Sequence, residues 1–212
     1  MRTDQFINML SANLEPADQG KTSRLLATAV VLSAAAAIGA ALLVLGPRPD
    51  YVDPDAFAFL CVKLLFAGTA AAFAGFYLLK SARPGSSRKL PLAIALPFVA
   101  IMLLAIASLS FSPGSHWQHM VSHGEWLDCL VSIPLIAIVP FAVLVWAVRQ
   151  AAPTNLVRTG ALVGLVAGSI SAMGYALHCM ADSLPFIAIW YGGTIALCTL
   201  AGAKVGPRLL RW

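Results

Sequence analysis

The sequence predicts an all-α integral membrane bundle of six transmembrane helices with both termini cytoplasmic, and three observations predict it. First, 59% of the 212 residues are hydrophobic and only 11% are charged, too little polar side chain to cover a water-soluble globule. Second, the apolar residues gather in six runs of roughly twenty, each long enough at about 1.5 Å per residue to cross a hydrocarbon core of ~30 Å. Third, twelve of the fourteen Lys and Arg residues fall on alternate connections and therefore on one face, the cytoplasmic one by the charge bias of short loops. Only Arg48 lies on the opposite face, and Lys63 lies within a span. This topology accounts for the net charge of +5, so the lipid bilayer is the surface the chain meets and no direct nucleic-acid contact is expected.

The chain divides into a cytoplasmic tail (1–24), the transmembrane domain (25–205) and a short cytoplasmic C-terminal tail (206–212). In the first tail, Thr3 or Asp4 caps a short helix whose Phe6, Ile7, Leu10 and Leu14 share one face, and Pro16 ends it. That stripe suits the headgroup region of a membrane or a groove on a soluble partner. The polar stretch before the first apolar run lacks a small-residue cleavage site, so no removed signal peptide is expected.

Span 25–45 is rich in alanine, bears no ionisable group and reads as packing. Span 57–79 contains Lys63, whose long side chain is expected to snorkel to the headgroups in preference to a buried ion pair with an outer Asp or Glu. Gly68, Ala72 and Gly75 give that span a small-residue face. Span 90–111 holds Pro91 at its start and Pro97, where a kink is expected. The following loop carries His116, His119 and His123, whose spacing forms a stripe suited to zinc, copper or nickel if the loop is helical. The alternative is a polar loop resting on the headgroups, anchored by Trp117 and Trp126. Span 127–148 is bent by Pro134 and Pro140. Span 157–177 repeats small side chains every four residues, at Gly160, Gly164, Gly168 and Ala172, a pattern for close helix approach. Span 184–205 carries Trp190 and Tyr191.

The chemistry-bearing residues are Cys129, in Glu125-Trp-Leu-Asp-Cys, and Cys179, in Tyr175-Ala-Leu-His-Cys. Asp128 and His178 directly precede the two thiols, and with Glu125 they are candidate supporting ligands. Two thiols accompanied by a carboxylate and an imidazole point to redox or soft-metal chemistry. Cys129 opens a helix and gains from its free N–H groups, whereas Cys179 follows a helix end that disfavours a thiolate. Spans 127–148 and 157–177 are antiparallel neighbours of matching rise, which returns both thiols to the same outer surface at similar depth. No cofactor is required by any motif; a transient soft metal ion at Cys129 and Cys179 is the one ligand the pattern suggests. No P-loop, dinucleotide fingerprint, nucleophile elbow or zincin helix is present. A periplasm-facing thiol oxidoreductase would want a Cys-x-x-Cys motif, and a small metal transporter would want carboxylates or histidines inside its spans.

Several segments together resemble the NrsF family: Thr3-Asp4 with Leu14-Glu15-Pro16, Arg83-Pro84-Gly85, Cys129 followed by Ile133-Pro134, Ala152-Pro153-Thr154, Tyr175-Ala-Leu-His-Cys179, Trp190-Tyr191 and Arg208-Leu-Leu-Arg-Trp212. The similarity spans nearly the whole chain. It implies a six-helix bacterial inner-membrane protein, not an enzyme, that acts as an anti-sigma factor toward an extracytoplasmic-function (ECF) sigma factor on the cytoplasmic side. It also implies that Cys129 and Cys179 respond to metal or oxidative stress and that the tail with Phe6, Ile7, Leu10 and Leu14 holds the sigma factor. Cys61, Cys198 and the three loop histidines stand outside the resemblance.

Overall fold

The computed structural model describes residues 19–81, 92–122, 126–151, 153 and 155–211. The tail stripe of Phe6, Ile7, Leu10 and Leu14, the turn at Arg83, Pro84 and Gly85, and both His123 and Glu125 lie outside the described residues. Among the described residues all regular structure is helical: α1 (Gln19–Val44), α2 (Pro54–Ser81), α3 (Leu96–Phe111), the short α4 (Trp117–Val121), α5 (Trp126–Arg149), α6 (Leu156–Ala176) and α7 (Leu184–Leu209).

Five of these, α1, α2, α5, α6 and α7, are long and apolar enough to cross a membrane. The sixth, α3, has 16 residues, about 24 Å of helix at 1.5 Å per residue and shorter than a typical hydrocarbon core. Its start corrects the expected kink at Pro97. A 3₁₀ turn (Leu92–Ile94) precedes the helix, and Pro97 occupies the first turn, where its missing N–H forfeits no bond.

Helix α6 is the axis of the bundle, packing against α1, α2, α5 and α7. Its glycine repeat explains why. A Cβ placed at Gly160 would land on the carbonyl of Gly202, and one at Gly164 on the carbonyl of Cys198, so α6 and α7 touch backbone to backbone. A Cβ at Gly174 would come within 2.8 Å of the Ala37 carbonyl, which seats α1 on the other side of α6. Helix α1 is further tied to α5 where the Ser33 hydroxyl donates to the Pro140 carbonyl at 3.5 Å.

On α2 the structure departs from the expected small-residue face. Ala72 is exposed and nothing meets Gly75; the buried stripe runs Leu60, Lys63, Ala67, Ala70, Ala74 and Leu78. The helix is rotated so that Lys63 points into the bundle, which shifts the packing face by about one residue. Pro134 and Pro140 lie inside α5, and α7 opens with Pro185 in its first turn and a π-helical stretch, Ile187–Tyr191.

Candidate functional site

The site is built around the segment 177–183, which joins α6 to α7. This loop is not a surface turn: Cys179 is 0% exposed, Ala181 1% and Ser183 5%. A buried loop must find partners for its backbone carbonyls and N–H groups; the loop after α1 and helix α2 supply them, and side chains tie the loop and α7 to further elements. From the loop after α1, the backbone N–H of Arg48 donates to the Leu177 carbonyl at 3.0 Å, and the Tyr51 hydroxyl donates to the same carbonyl at 2.8 Å. His178 Nδ1 pairs with the Gly46 carbonyl at 3.0 Å. Gly46 itself has φ +79, a left-handed conformation that lets α1 end and the chain turn toward His178. From α2, the Lys63 ammonium donates to the Cys179 carbonyl at 2.9 Å. The α4 region closes the far side, where Ser183 donates to the Met120 carbonyl at 2.6 Å and the Trp190 indole donates to the Val121 carbonyl at 2.8 Å. Trp126 stacks on Trp190 with ring centroids 4.9 Å apart, joining the start of α5 to the same corner.

Charge holds the loop as well. Asp182 accepts from Lys63 at 2.8 Å on one oxygen and from Arg48 at 2.7 Å on the other, while Arg48 also grips Asp50 at 2.6 Å and 2.8 Å. Lys63 is 0% exposed and Arg48 2%. Two buried cations would be very costly alone, but two carboxylates neutralise them and their hydrogen bonds replace lost water. The hydrogen bonds from Asp50 and then Asp182 raise Arg48 above the ordinary arginine value, and the Arg48 guanidinium holds Asp50 below the usual carboxylate range. The expectation that Lys63 snorkels to the headgroups is thereby corrected. A carboxylate from the 177–183 loop reaches down to it, so the shorter path to a counter-charge runs inward rather than along the span.

Cys129 and Cys179 both lie in the hydrophobic core. Cys129, in the first turn of α5, is 0% exposed, like Cys179. Tyr191 is also 0% exposed, and its hydroxyl is within hydrogen-bonding reach of the Cys179 thiol. Tyr175 lies 6.1 Å from Tyr191, ring to ring, and at the same separation from His178. The Tyr191 hydroxyl is buried, and the Cys179 thiol is the group placed to pair with it. All four cysteines are free thiols.

The remaining candidates are less concentrated. Asp128 is exposed on the first turn of α5, and His178 is engaged with the first loop through one ring nitrogen. His116, on a 3₁₀ turn, and His119, on α4, are both exposed. Among the described residues no three His, Cys, Asp or Glu side chains come together to hold a metal. Sequence reasoning missed the roles of Arg48, Asp182 and Tyr191. The first two were visible as the lone outer arginine and the lone acid beside Cys179.

The fold and the site together define an all-helical bundle, with five helices long and apolar enough to cross a membrane, whose buried charges organise a thiol-bearing loop between two of its helices. Residues 10–212 match the family model NrsF, described as a negative regulator of sigma F. An anti-sigma-F factor NrsF of Caulobacter vibrioides is 31% identical over 217 residues, and a probable anti-sigma-F factor NrsF of Azospira oryzae is 28% identical over 213; in both cases all of each chain is covered. The chain belongs to the NrsF family, whose members are regulators and not enzymes. No solved structure matches it.

Proposed function

We propose that this chain is a membrane-embedded anti-sigma factor that holds an ECF sigma factor at the cytoplasmic face of a bacterial inner membrane and releases it when Cys129 and Cys179 change state. The observation that supports the reading is that Cys129 and Cys179 are both fully buried free thiols, one in the first turn of α5 and the other in the loop between α6 and α7. Oxidation of the pair to a disulfide, or capture of a soft metal ion by both sulfurs, draws α5 and the α6–α7 loop together. Disulfide geometry demands Cα atoms within about 7 Å, so the helices carrying them move as a unit when the bond forms. Helix α1 packs on both α5 and α6 and leads directly back to the tail, giving the signal a contiguous route through packed helices.

The sigma-binding surface in this reading is the stripe Phe6, Ile7, Leu10 and Leu14, an amphipathic helix entering a partner's groove. Both termini are placed in the cytoplasm by the bias of basic residues. Co-purification from membranes tests the reading. Wild-type chain should bring down the sigma factor, and a variant with Phe6→Asp, Ile7→Asp and Leu10→Asp should insert into the membrane normally without it. If the partner still co-purifies with that variant, the tail is an anchor only. Sidedness is tested separately by alkaline phosphatase fusions, expected active after Gly114 and inactive after Gly85.

A further inference from the structure

We infer that the trough between α5 and α7 is a binding site for one anionic phospholipid, with an acyl chain in the trough and the phosphate on Arg149. A cavity of about 490 Å³ runs along α5 from Pro134 to Arg149. The fifteen helical steps from Pro134 to Arg149 give it a length of roughly 22 Å, about half again one leaflet's hydrocarbon depth of about 15 Å, enough to reach from the mid-plane to the headgroups. Its floor is made of small residues on α6, Gly164 and Ala167, and its walls include Phe141, Trp146 and Leu197. The same substitution pattern that brings α6 and α7 into backbone contact therefore leaves a furrow where α5 stands off from α7. An α-helix with side chains, ~10 Å or more across, would need over ~1500 Å³ along this length, more than the trough offers, whereas a single hydrocarbon chain is thin enough to lie in it.

The charge at the end of the trough selects the headgroup. Arg149 is the one ionisable residue lining it apart from Cys198, it is exposed, and it has no hydrogen-bond or ion-pair partner among the described residues. The described residues at that end of the bundle include Arg24, Lys80, Arg158, Lys204 and Arg208, and no Asp or Glu. A second copy in the same membrane orientation would bring one basic end against another, while a phosphate complements it. Guanidinium is the residue type best matched to phosphate oxygens, and basic pockets between spans at an interface are the usual headgroup sites. The lipid would lie along the part of α5 that follows Pro134, on the helix that carries Cys129 in its first turn.

The full chain, purified from bacterial membranes in mild detergent and washed extensively, is analysed by native mass spectrometry and by lipid extraction, with phosphatidylglycerol and phosphatidylethanolamine as probes. One phosphatidylglycerol per chain should be retained in preference to phosphatidylethanolamine. Arg149→Ala should reduce that preference about fivefold, and Arg149→Lys should restore most of it. Ala142→Phe with Ala201→Phe, both at exposed trough positions, should expel either lipid. As a second measurement, Cys198 on the trough wall should react more slowly with N-ethylmaleimide when phosphatidylglycerol is added, in a variant whose other cysteines are serine. Equal lipid retention by wild type and the double Phe variant would mean a surface annulus only and would overturn the site. So would a dimer that the Phe pair disrupts with no lipid bound, or binding seen only after deletion of residues 2–18. None of these readouts involves the sigma factor, so the site stands or falls independently of the anti-sigma reading.

Discussion

Removing the Asp182 carboxylate should be the most damaging single change in the bundle, and the charge arithmetic of the network states by how much. In the native protein Lys63 and Arg48 face Asp50 and Asp182, two cations against two anions. Asp182→Ala leaves both buried cations with only Asp50, which reaches Arg48 and not Lys63 within salt-bridge distance. Lys63, fully buried, would keep just the Cys179 carbonyl. Breaking a buried pair by removing one partner costs about 3–5 kcal/mol. Lys63→Met is milder, because Arg48 continues to neutralise Asp182 and the aliphatic stem is replaced in kind. The decisive variant combines Lys63→Met with Asp182→Ala. It restores one cation to one anion and should recover most of the loss, since exchanging a buried ion pair for apolar groups is often neutral. Thermal unfolding in detergent, followed by fluorescence-detected size exclusion, ranks the three. The expected order is wild type near the double variant, Lys63→Met slightly below, and Asp182→Ala far below. An Asp182→Ala protein as stable as Lys63→Met, or a double variant no better than Asp182→Ala, would refute the network as described.

Gly164→Leu forces a side chain onto the Cys198 carbonyl and should destabilise by about 1–3 kcal/mol or more, as over-packing does, whereas Gly75→Leu, with open space around it, should be nearly silent in the same unfolding assay. Tyr191→Phe removes a buried hydroxyl that pairs with the Cys179 thiol; because sulfur is a weak hydrogen-bonding group, the change should cost less than about 1 kcal/mol in the same unfolding assay, and a loss of several kcal/mol would contradict so weak a contact.

Hydropathy made the apolar runs legible, because every span must satisfy its own backbone and therefore writes itself as a continuous apolar segment. The glycine repeat of α6 was legible for a similar reason: its periodicity has no other use, and it meets Gly202 and Cys198 as a close-packing stripe should. Antiparallel neighbours of equal rise led to the expectation that Cys129 and Cys179 share one depth, and the structure buries both thiols completely. Lys63 was misread because a long side chain near the end of a span satisfies two accounts equally well. Only its phase with Leu60, Ala67, Ala70 and Ala74 separates them, and the tempting small residues Gly68 and Gly75 obscured that phase. The loop 177–183 carries no periodicity, so nothing in the sequence announced that it would be buried or that Asp182 would anchor it. The π-helical turn that ends at Tyr191 likewise has no composition of its own; it is a product of packing.

The central claim is that Cys129 and Cys179 act as one switch, and the most direct test compares each single cysteine-to-serine variant with the pair. Membranes carrying wild-type chain with its sigma factor bound are exposed to a dithiol oxidant or to cadmium, and the released sigma factor is quantified. Wild type should release it, while Cys129→Ser, Cys179→Ser and the double variant should retain it to the same extent, because a two-sulfur bond or bridge fails when either sulfur is lost. Release from one single variant at the wild-type level, with retention only in the double variant, would contradict a cooperating pair.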